Sequence, residues 1–340
     1  MATKRDMQHK KTALKITILL GLVAFAVISF LLSVSLGAYQ LSIEDIVRVI
    51  MSETEDLNHR IFWNLRVPRT MVAALVGICL SVAGAILQGV MRNPLASPNI
   101  IGVSAGAGLM ATICLVLLPR MSALLTPAAF VGAVLTTLLI YVLSWKNGVQ
   151  PLRMVLAGIA ISTLLSSFIN LILIFYPERV HDTLGFKIGS LMSKTWHDFY
   201  LILPYALVGF TIAVITANRL NILMLGDEIA ASLGLNVEVT RMSFIILASL
   251  LAASAVSVVG LLGFVGLIVP HMVRLIIGSD YRYLFPGSAI LGAGLVMFCD
   301  TISRIIFAPM ELPIGIIMSI LGVPFFLFLL KGRLKIAKNS

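Results

Sequence analysis

Leu225-Gly-Asp-Glu-Ile-Ala-Ala-Ser-Leu-Gly-Leu235 is a short, acidic, water-compatible stretch set between long apolar segments. Asp227 is suited to cap a helix here, because an aspartate side chain accepts from the free N–H groups of a first turn. Gly234 is suited to end it, because glycine takes the left-handed conformation without a steric penalty. Between them, Ile229 and Leu233 share a face, with the small Ala230, Ala231 and Ser232 beside them. A helix of barely two turns does not persist alone in water. It must pack on something, either a partner protein or the rest of its own chain.

Everything around this stretch reads as membrane. Hydrophobic residues make up 59% of the 340-residue chain and charged residues 12%, and the mean hydropathy is +1.04. Soluble domains carry roughly 25% charged residues. A span takes about 20 residues to cross about 30 Å of hydrocarbon, and the sequence divides into ten such segments. They lie near 14–36, 70–90, 99–118, 124–143, 154–175, 200–217, 242–259, 264–277, 289–306 and 312–330, with the acidic helix at 227–233 between the sixth and seventh. Gly260 and Gly263 supply the tight turn that separates spans seven and eight. The expected architecture is an all-α polytopic membrane protein forming one transmembrane domain over 1–340.

Charge sets the orientation. Ten spans put both termini in the cytoplasm and leave sixteen of the 25 Lys and Arg residues on the inner side and nine on the outer, as the positive-inside rule requires. A nine-span arrangement would send the basic tail Lys331–Lys338 outside. The net charge of +10 therefore belongs to the inner membrane edge, where anionic lipids attract it, and implies no nucleic acid. The first apolar stretch is longer than a signal-peptide core and is expected to be retained. Cys79, Cys114 and Cys299 sit in apolar segments with no metal-like spacing and read as packing residues. In the longest outer loop, 37–69, Ser42 and Asp45 form a capping box. Ile43, Ile46, Val47, Ile50 and Met51 follow at helical spacing, so an amphipathic helix is expected along the outer interface.

Three function classes compete. An intramembrane enzyme needs a set of reacting groups, but the five histidines show no ligand-like pairing and Asp300 is the one acid inside an expected span; no catalytic or metal residues are assigned. An ion-coupled secondary transporter would carry ionisable groups and repeat symmetry within the membrane, and neither is evident. A permease driven by an external motor fits both absences. In the fifth span, Thr163, Ser166, Ser167 and Asn170 recur at i, i+3, i+4 and i+7 and share one helical face. They are suited to line a polar pathway or to bond between helices. Gly77 with Ser81, Gly102 with Gly106, and Gly315 with Ser319 are pairs four apart that permit close helix packing.

Five ordered motifs carry a family resemblance. Leu65-Arg-Val-Pro-Arg-Thr70, Met91-Arg-Asn-Pro-Leu-Ala96, Gly226-Asp-Glu-Ile-Ala-Ala-Ser-Leu-Gly234, Gly263-Phe-Val-Gly-Leu-Ile-Val-Pro-His-Met-Val-Arg274 and Glu311-Leu-Pro-Ile-Gly315 resemble the FecCD family, permease subunits of ATP-binding cassette (ABC) importers for iron–siderophore complexes, haem and vitamin B12. The resemblance spans 38–330. It implies a type II, vitamin B12 permease-like fold in the cell membrane, a second permease subunit, two cytoplasmic ATPase subunits and an extracytoplasmic binding protein. No cofactor would bind the chain itself, since ATP and Mg belong to the ATPase. By motif, Gly226, Asp227, Glu228, Ala230, Leu233 and Gly234 would form the coupling helix that rests on the ATPase. Arg66, Arg69 and Arg304 would dock acidic residues of the binding protein, since Arg grips carboxylates bidentately. The alternative for Arg66 and Arg69 is an interfacial anchor, and for Arg304 an ion pair with Asp300 four residues away. Asn93 and Leu95 would belong to the cytoplasmic gate, and His271 is expected to be structural. The expected cargo is a ferric siderophore, with haem or cobalamin as the alternative.

Overall fold

A computed structural model describes residues 4–37, 39, 41–51, 56–145 and 151–338. Lys146, counted above on the inner side, lies outside them. The described chain is helical: α1 (Lys4–Ser35), α2 (Ile43–Met51), α3 (Leu57–Val90), α4 (Val103–Leu117), α5 (Leu125–Leu143), α6 (Pro151–Phe175), α7 (Val180–Ile188), α8 (Trp196–Leu223), α9 (Asp227–Ser232), α10 (Val237–Val259), α11 (Val265–Ile277), α12 (Tyr281–Ile305) and α13 (Ile314–Lys338). Among the described residues seven helices are long and apolar enough to cross a membrane: α1, α3, α5, α6, α8, α10 and α12. Three further apolar helices, 103–117, 265–277 and 314–327, are shorter. Each expected span overlaps one of these helices, of which seven have the length to cross.

The centre is α3, which packs on α8, α10, α11 and α12 and is buried along almost its whole length from Val67 to Val90. In lipid, helices gain nothing from leaving water, so association depends on close van der Waals contact between small residues. The expected glycine pairs do this. A Cβ at Gly77 would overlap the Gly292 carbonyl of α12, and Gly292 in turn faces Ser81. A Cβ at Gly106 would overlap the Gly132 carbonyl of α5. Gly84 meets the backbone of Gly266 on α11 so closely that no side chain fits. Gly84→Val is expected to separate α3 from α11 and cost about 1–3 kcal/mol or more through overpacking. Thermal unfolding of the detergent-purified protein reads it out, and a midpoint equal to that of the unsubstituted protein would show that the crossing is looser than drawn.

Several boundaries differ from expectation, among them the sixth span, whose helix is Trp196–Leu223 where 200–217 was expected, and the seventh, whose helix begins at Val237 where 242 was expected; three others have a clear physical reason. The second helix begins at Leu57, not near 70, so Arg66-Val-Pro-Arg69 lies inside it. Pro68 has no N–H for the carbonyl four residues back and its ring crowds that turn. The helix widens into a π stretch over Ile61–Arg66 and continues. The third begins at Val103, not 99, because Pro98–Ile101 forms a 3-10 turn and Gly102 is left-handed at φ 77°. The ninth begins at Tyr281, not 289; Asp280 caps it by accepting from the Arg282 N–H.

The α2 capping box is present, with Ser42 N–H donating to Asp45 at 3.0 Å and Asp45 N–H to Ser42 at 3.1 Å. Its buried face is Ile46 and Val49, packed with Val34, Leu41, Phe62 and Val67, while Val47, Ile50 and Met51 are exposed. The loop expected between α6 and α8 holds a helix the sequence did not announce, α7. Leu261 N–H donates to Phe186 O and Ser190 N–H to Val259 O, both at 2.8 Å, and Gly315 N–H donates to Gly189 O at 3.2 Å. This docks α7 over the α10–α11 turn and the start of α13. Gly260 (φ 81°) and Gly315 are the positions where a Cβ would collide with α7 carbonyls. Cys79, Cys114 and Cys299 are buried.

Candidate functional site

At the end of the bundle where α3, α8 and α12 have their nearest loops at 91–98, 224–236 and 278–280, the acidic helix α9 projects. Its start departs from expectation. Gly226, at φ 118°, is the N-cap, and no side chain caps the helix; Asp227 is its first residue and its carboxylate points elsewhere. Both Asp227 oxygens accept from Arg241 Nη2 at 2.9 Å, and Arg92 pairs with the same carboxylate. Arg92 also donates to Leu223 O at 3.1 Å. The C-terminus is as expected: Gly234 is left-handed at φ 81°, its N–H reaches Ala231 O at 2.9 Å and Leu235 N–H reaches Ala230 O at 3.0 Å, the Schellman pattern.

One face of α9 is therefore fixed to its own chain through Asp227 and fully buried Ala230. The rest is open, with Leu225, Ile229 and Leu233 each more than half exposed beside Glu228, Ala231 and Ser232. Burial opposes ionisation of Asp227, but hydrogen bonds from Arg241 and the charges of Arg241 and Arg92 outweigh it and hold the carboxyl below its usual range. The folded chain then binds this proton less tightly than the unfolded one. The clamp's stabilisation is present above about pH 4 and is lost as pH falls through the lowered value.

Arg92 comes from the motif at 91–96. It is left-handed at φ 48°, which turns the chain back so that Asn93 N–H bonds Gln88 O at 3.1 Å. Asn93 Oδ1 then accepts from Leu95 N–H at 3.0 Å, an Asx turn. Asn93 and Leu95 thus shape a loop whose neighbour Arg92 holds α9. Sequence reading singled out Asn93 and Leu95 and missed Arg92 and Arg241. Arg92 lies in the 91–96 motif and Arg241 in no motif, and only the fold brings them to Asp227.

At the opposite end, the three arginines expected to dock a partner are buried, each 9% exposed or less, with their donors engaged inside the chain. Arg69 forks onto Asp300, Nε to Oδ2 at 3.0 Å and Nη2 to Oδ1 at 2.9 Å, and its Nη1 reaches Glu311 at 2.7 Å. Arg304 pairs with Asp300 at 3.3 Å, the i,i+4 contact foreseen as its alternative, and donates to Ser33 O at 2.9 Å. Arg66 donates to Val34 O and Ser35 O at 2.7 Å and to Tyr39 O. Asp300 is fully buried and Glu311 about a quarter exposed. The isolated chain thus presents no open guanidinium fork here. The cluster stitches the end of α1, the first half of α3, the end of α12 and the following loop.

Thr163, Ser166, Ser167 and Asn170 lie on α6 and are all exposed. Thr163 and Ser167 return their hydroxyls to Ile159 O and Thr163 O at 2.8 and 3.0 Å, so within the chain they bridge to no other helix.

The residues of this frame match a family model described as the FecCD transport family over 25–332. The chain belongs to the FecCD transport family. It is 37% identical to the Fe(3+)-citrate import system permease protein YfmE of Bacillus subtilis, over 92% of this chain and 95% of that one. It is 38% identical to the hemin transport system permease protein HmuU of Yersinia pestis, over 91% and 93%, and 38% identical to the cobalamin import system permease protein BtuC of Halobacterium salinarum, over 79% and 73%. A solved structure described as an inward-facing conformation of a putative metal-chelate type ABC transporter superposes with a TM-score of 0.82 at 28% identity, covering 93% of this chain and 99% of that one. The five motifs thus mark a FecCD member, a multi-span membrane transport protein whose relatives are ABC importer permeases.

Proposed function

We propose that the chain is the membrane-spanning permease subunit of an ABC importer that carries a ferric siderophore, delivered by an extracytoplasmic binding protein and driven by two ATPase subunits. In this reading the helix set makes ten crossings with both termini cytoplasmic, in the plasma membrane, and pairs with a second permease. It catalyses no covalent step, and ATP and Mg stay on the ATPase. The observation that carries the reading is α9: a helix too short to stand alone, tied down through Asp227 and Ala230, with Ile229 and Leu233 left exposed at the basic end of the chain. Such an apolar face rimmed by Glu228 and Ser232 suits a groove on a soluble partner. Gly226 and Gly234 close the helix at both ends and keep it compact.

The 91–96 loop, carrying Asn93 and Leu95, would gate the cytoplasmic mouth. The polar row Thr163, Ser166, Ser167 and Asn170, exposed on the single chain, would face the equivalent row of the second permease and line the route. At the other end, the binding protein would dock over Arg66, Arg69 and Arg304. Because these are engaged internally, docking has to exchange partners, and Glu311 is the contact of Arg69 that solvent already reaches.

Co-expression with an ATPase tests the coupling helix. Ile229→Asp with Leu233→Asp is expected to abolish co-purification while the permease still elutes as a folded peak; undiminished co-purification would remove α9 as the contact. Cargo is tested in proteoliposomes by ATP-dependent uptake of radiolabelled ferric siderophore, with haem and cobalamin as competitors, both favoured as second readings by the similarity to HmuU and BtuC. Uptake driven by an ion gradient without ATP would point instead to a secondary transporter.

A further inference from the structure

A groove runs along α10 between α5 and α8, and nothing in the transport reading uses it. Toward the α7 end it opens into a cavity of about 600 Å³. Its walls include Phe130 and Val131 of α5 and His197, Leu201 and Tyr205 of α8, and its floor includes Ser257 of α10. Further along, α5 and α10 continue into a narrower pocket of about 50 Å³ beside Val134 and Ile245. The larger cavity is mainly apolar despite the serines on its floor. Ser254 donates its hydroxyl to Leu251 O at 2.8 Å and Ser257 to Ser254 O at 3.0 Å, so both hydroxyls are satisfied by their own helix.

The cavity has the polarity gradient of one membrane leaflet. Its polar mouth is His197, which sits between Trp196 and Tyr200, aromatic residues of the kind that mark membrane–water interfaces. Its inner end is Tyr205, whose ring meets Phe130 with centroids 5.1 Å apart and joins the two walls. Eight helical residues separate His197 from Tyr205, about 12 Å at 1.5 Å per residue. That is close to the half-thickness of about 15 Å of a bilayer's hydrocarbon. The helix surfaces on either side, Leu135 on α5 and Leu207 and Val208 on α8, are exposed apolar side chains. In a membrane-spanning chain such a surface is bathed in acyl chains, and an apolar recess excludes water.

We propose that this cavity binds one acyl chain of a membrane phospholipid from the leaflet at the α7 end, with the headgroup held at the level of His197. Transfer from bilayer to cavity gains nothing from the hydrophobic effect, so retention comes from contact with the α10 floor and the two walls. A chain seated there would be a wedge that sets the spacing of α5 and α8 over α10, the helix that directly follows α9. The inference rests on membrane embedding alone and stands whatever the cargo.

Native mass spectrometry of the full chain, purified in mild detergent and carried through stepwise detergent exchange, tests it. The unsubstituted protein is expected to retain one phospholipid per chain. Leu201→Trp and Ser257→Leu, which fill the cavity, are expected to lose it, whereas Val208→Trp, on the same helix but outside the cavity, keeps it. Val131→Trp, on the half-exposed wall, replaces any filling variant that does not elute as a folded peak. A filled cavity that holds phospholipid as well as the unsubstituted protein overturns the site. So does an unsubstituted protein that loses all phospholipid at the same step as Leu201→Trp.

Discussion

Asp300→Ala lowers the stability of the folded chain by about 3–5 kcal/mol, the usual result of removing one partner from a buried ion pair. Asp300 is the shared carboxylate of Arg69 and Arg304, and all three are buried. Without it, two guanidinium groups stay out of water, with Glu311 as the carboxylate still paired to Arg69. Thermal unfolding in detergent reads the effect as a large fall in midpoint. Glu311→Gln is the comparator: its carboxylate is about a quarter exposed, and a pair so close to solvent contributes roughly 0–1 kcal/mol. Equal shifts for the two variants would show that Asp300 does not neutralise the cluster. Replacing Arg69, Asp300 and Arg304 together by apolar residues of similar volume is expected to recover much of the loss, since desolvation offsets most of what a buried ion pair contributes. That outcome would separate stability from any docking role of the arginines.

Asp227→Lys is the second large effect, and it falls on transport. The carboxylate is half exposed, so its ion pairs contribute little to stability. Its importance is geometric, since it joins α9 to Arg92 in the 91–96 loop and to Arg241 at the foot of α10. A lysine there sets three cations together and frees α9 from both. ATP-driven uptake is expected to fall on the order of 10- to 100-fold, the scale of an allosteric coupling of about 1–3 kcal/mol. ATP hydrolysis by the assembled complex should continue. Measuring both rates on one preparation distinguishes a broken linkage from a lost ATPase, and normal uptake would show that the clamp transmits nothing.

Much of this was legible in the sequence because membranes impose simple rules. Apolar runs of span length located every long helix, and the small residues at Gly77, Ser81 and Gly106 foretold where backbones touch. The closing glycine of α9, Gly234, followed from its conformational freedom. What failed to show depended on contacts far apart in the chain. Pro68 reads as a helix start, yet the π stretch lets the helix run through it and buries Arg66 and Arg69. The segment of α7 lacks an apolar stripe, since it is held by backbone hydrogen bonds to glycine-lined turns. Asp227 has the chemistry of a helix cap; Arg92 and Arg241, 135 and 14 residues away, claim its carboxylate first.

The central helix α3 carries one more consequence. It runs unbroken for 34 residues, about 50 Å at 1.5 Å per residue. Arg66 and Arg69 sit about three turns in from its start, and Arg92 lies two residues past its last residue, Val90. The arginine cluster and the clamp on α9 are therefore mounted on one rod, the cluster in its first half and the clamp just past its last residue. A tilt imposed at either place is carried to the other along Val67–Val90 without a relay of side chains, and the wide turn at Ile61–Arg66 falls outside the length that joins them.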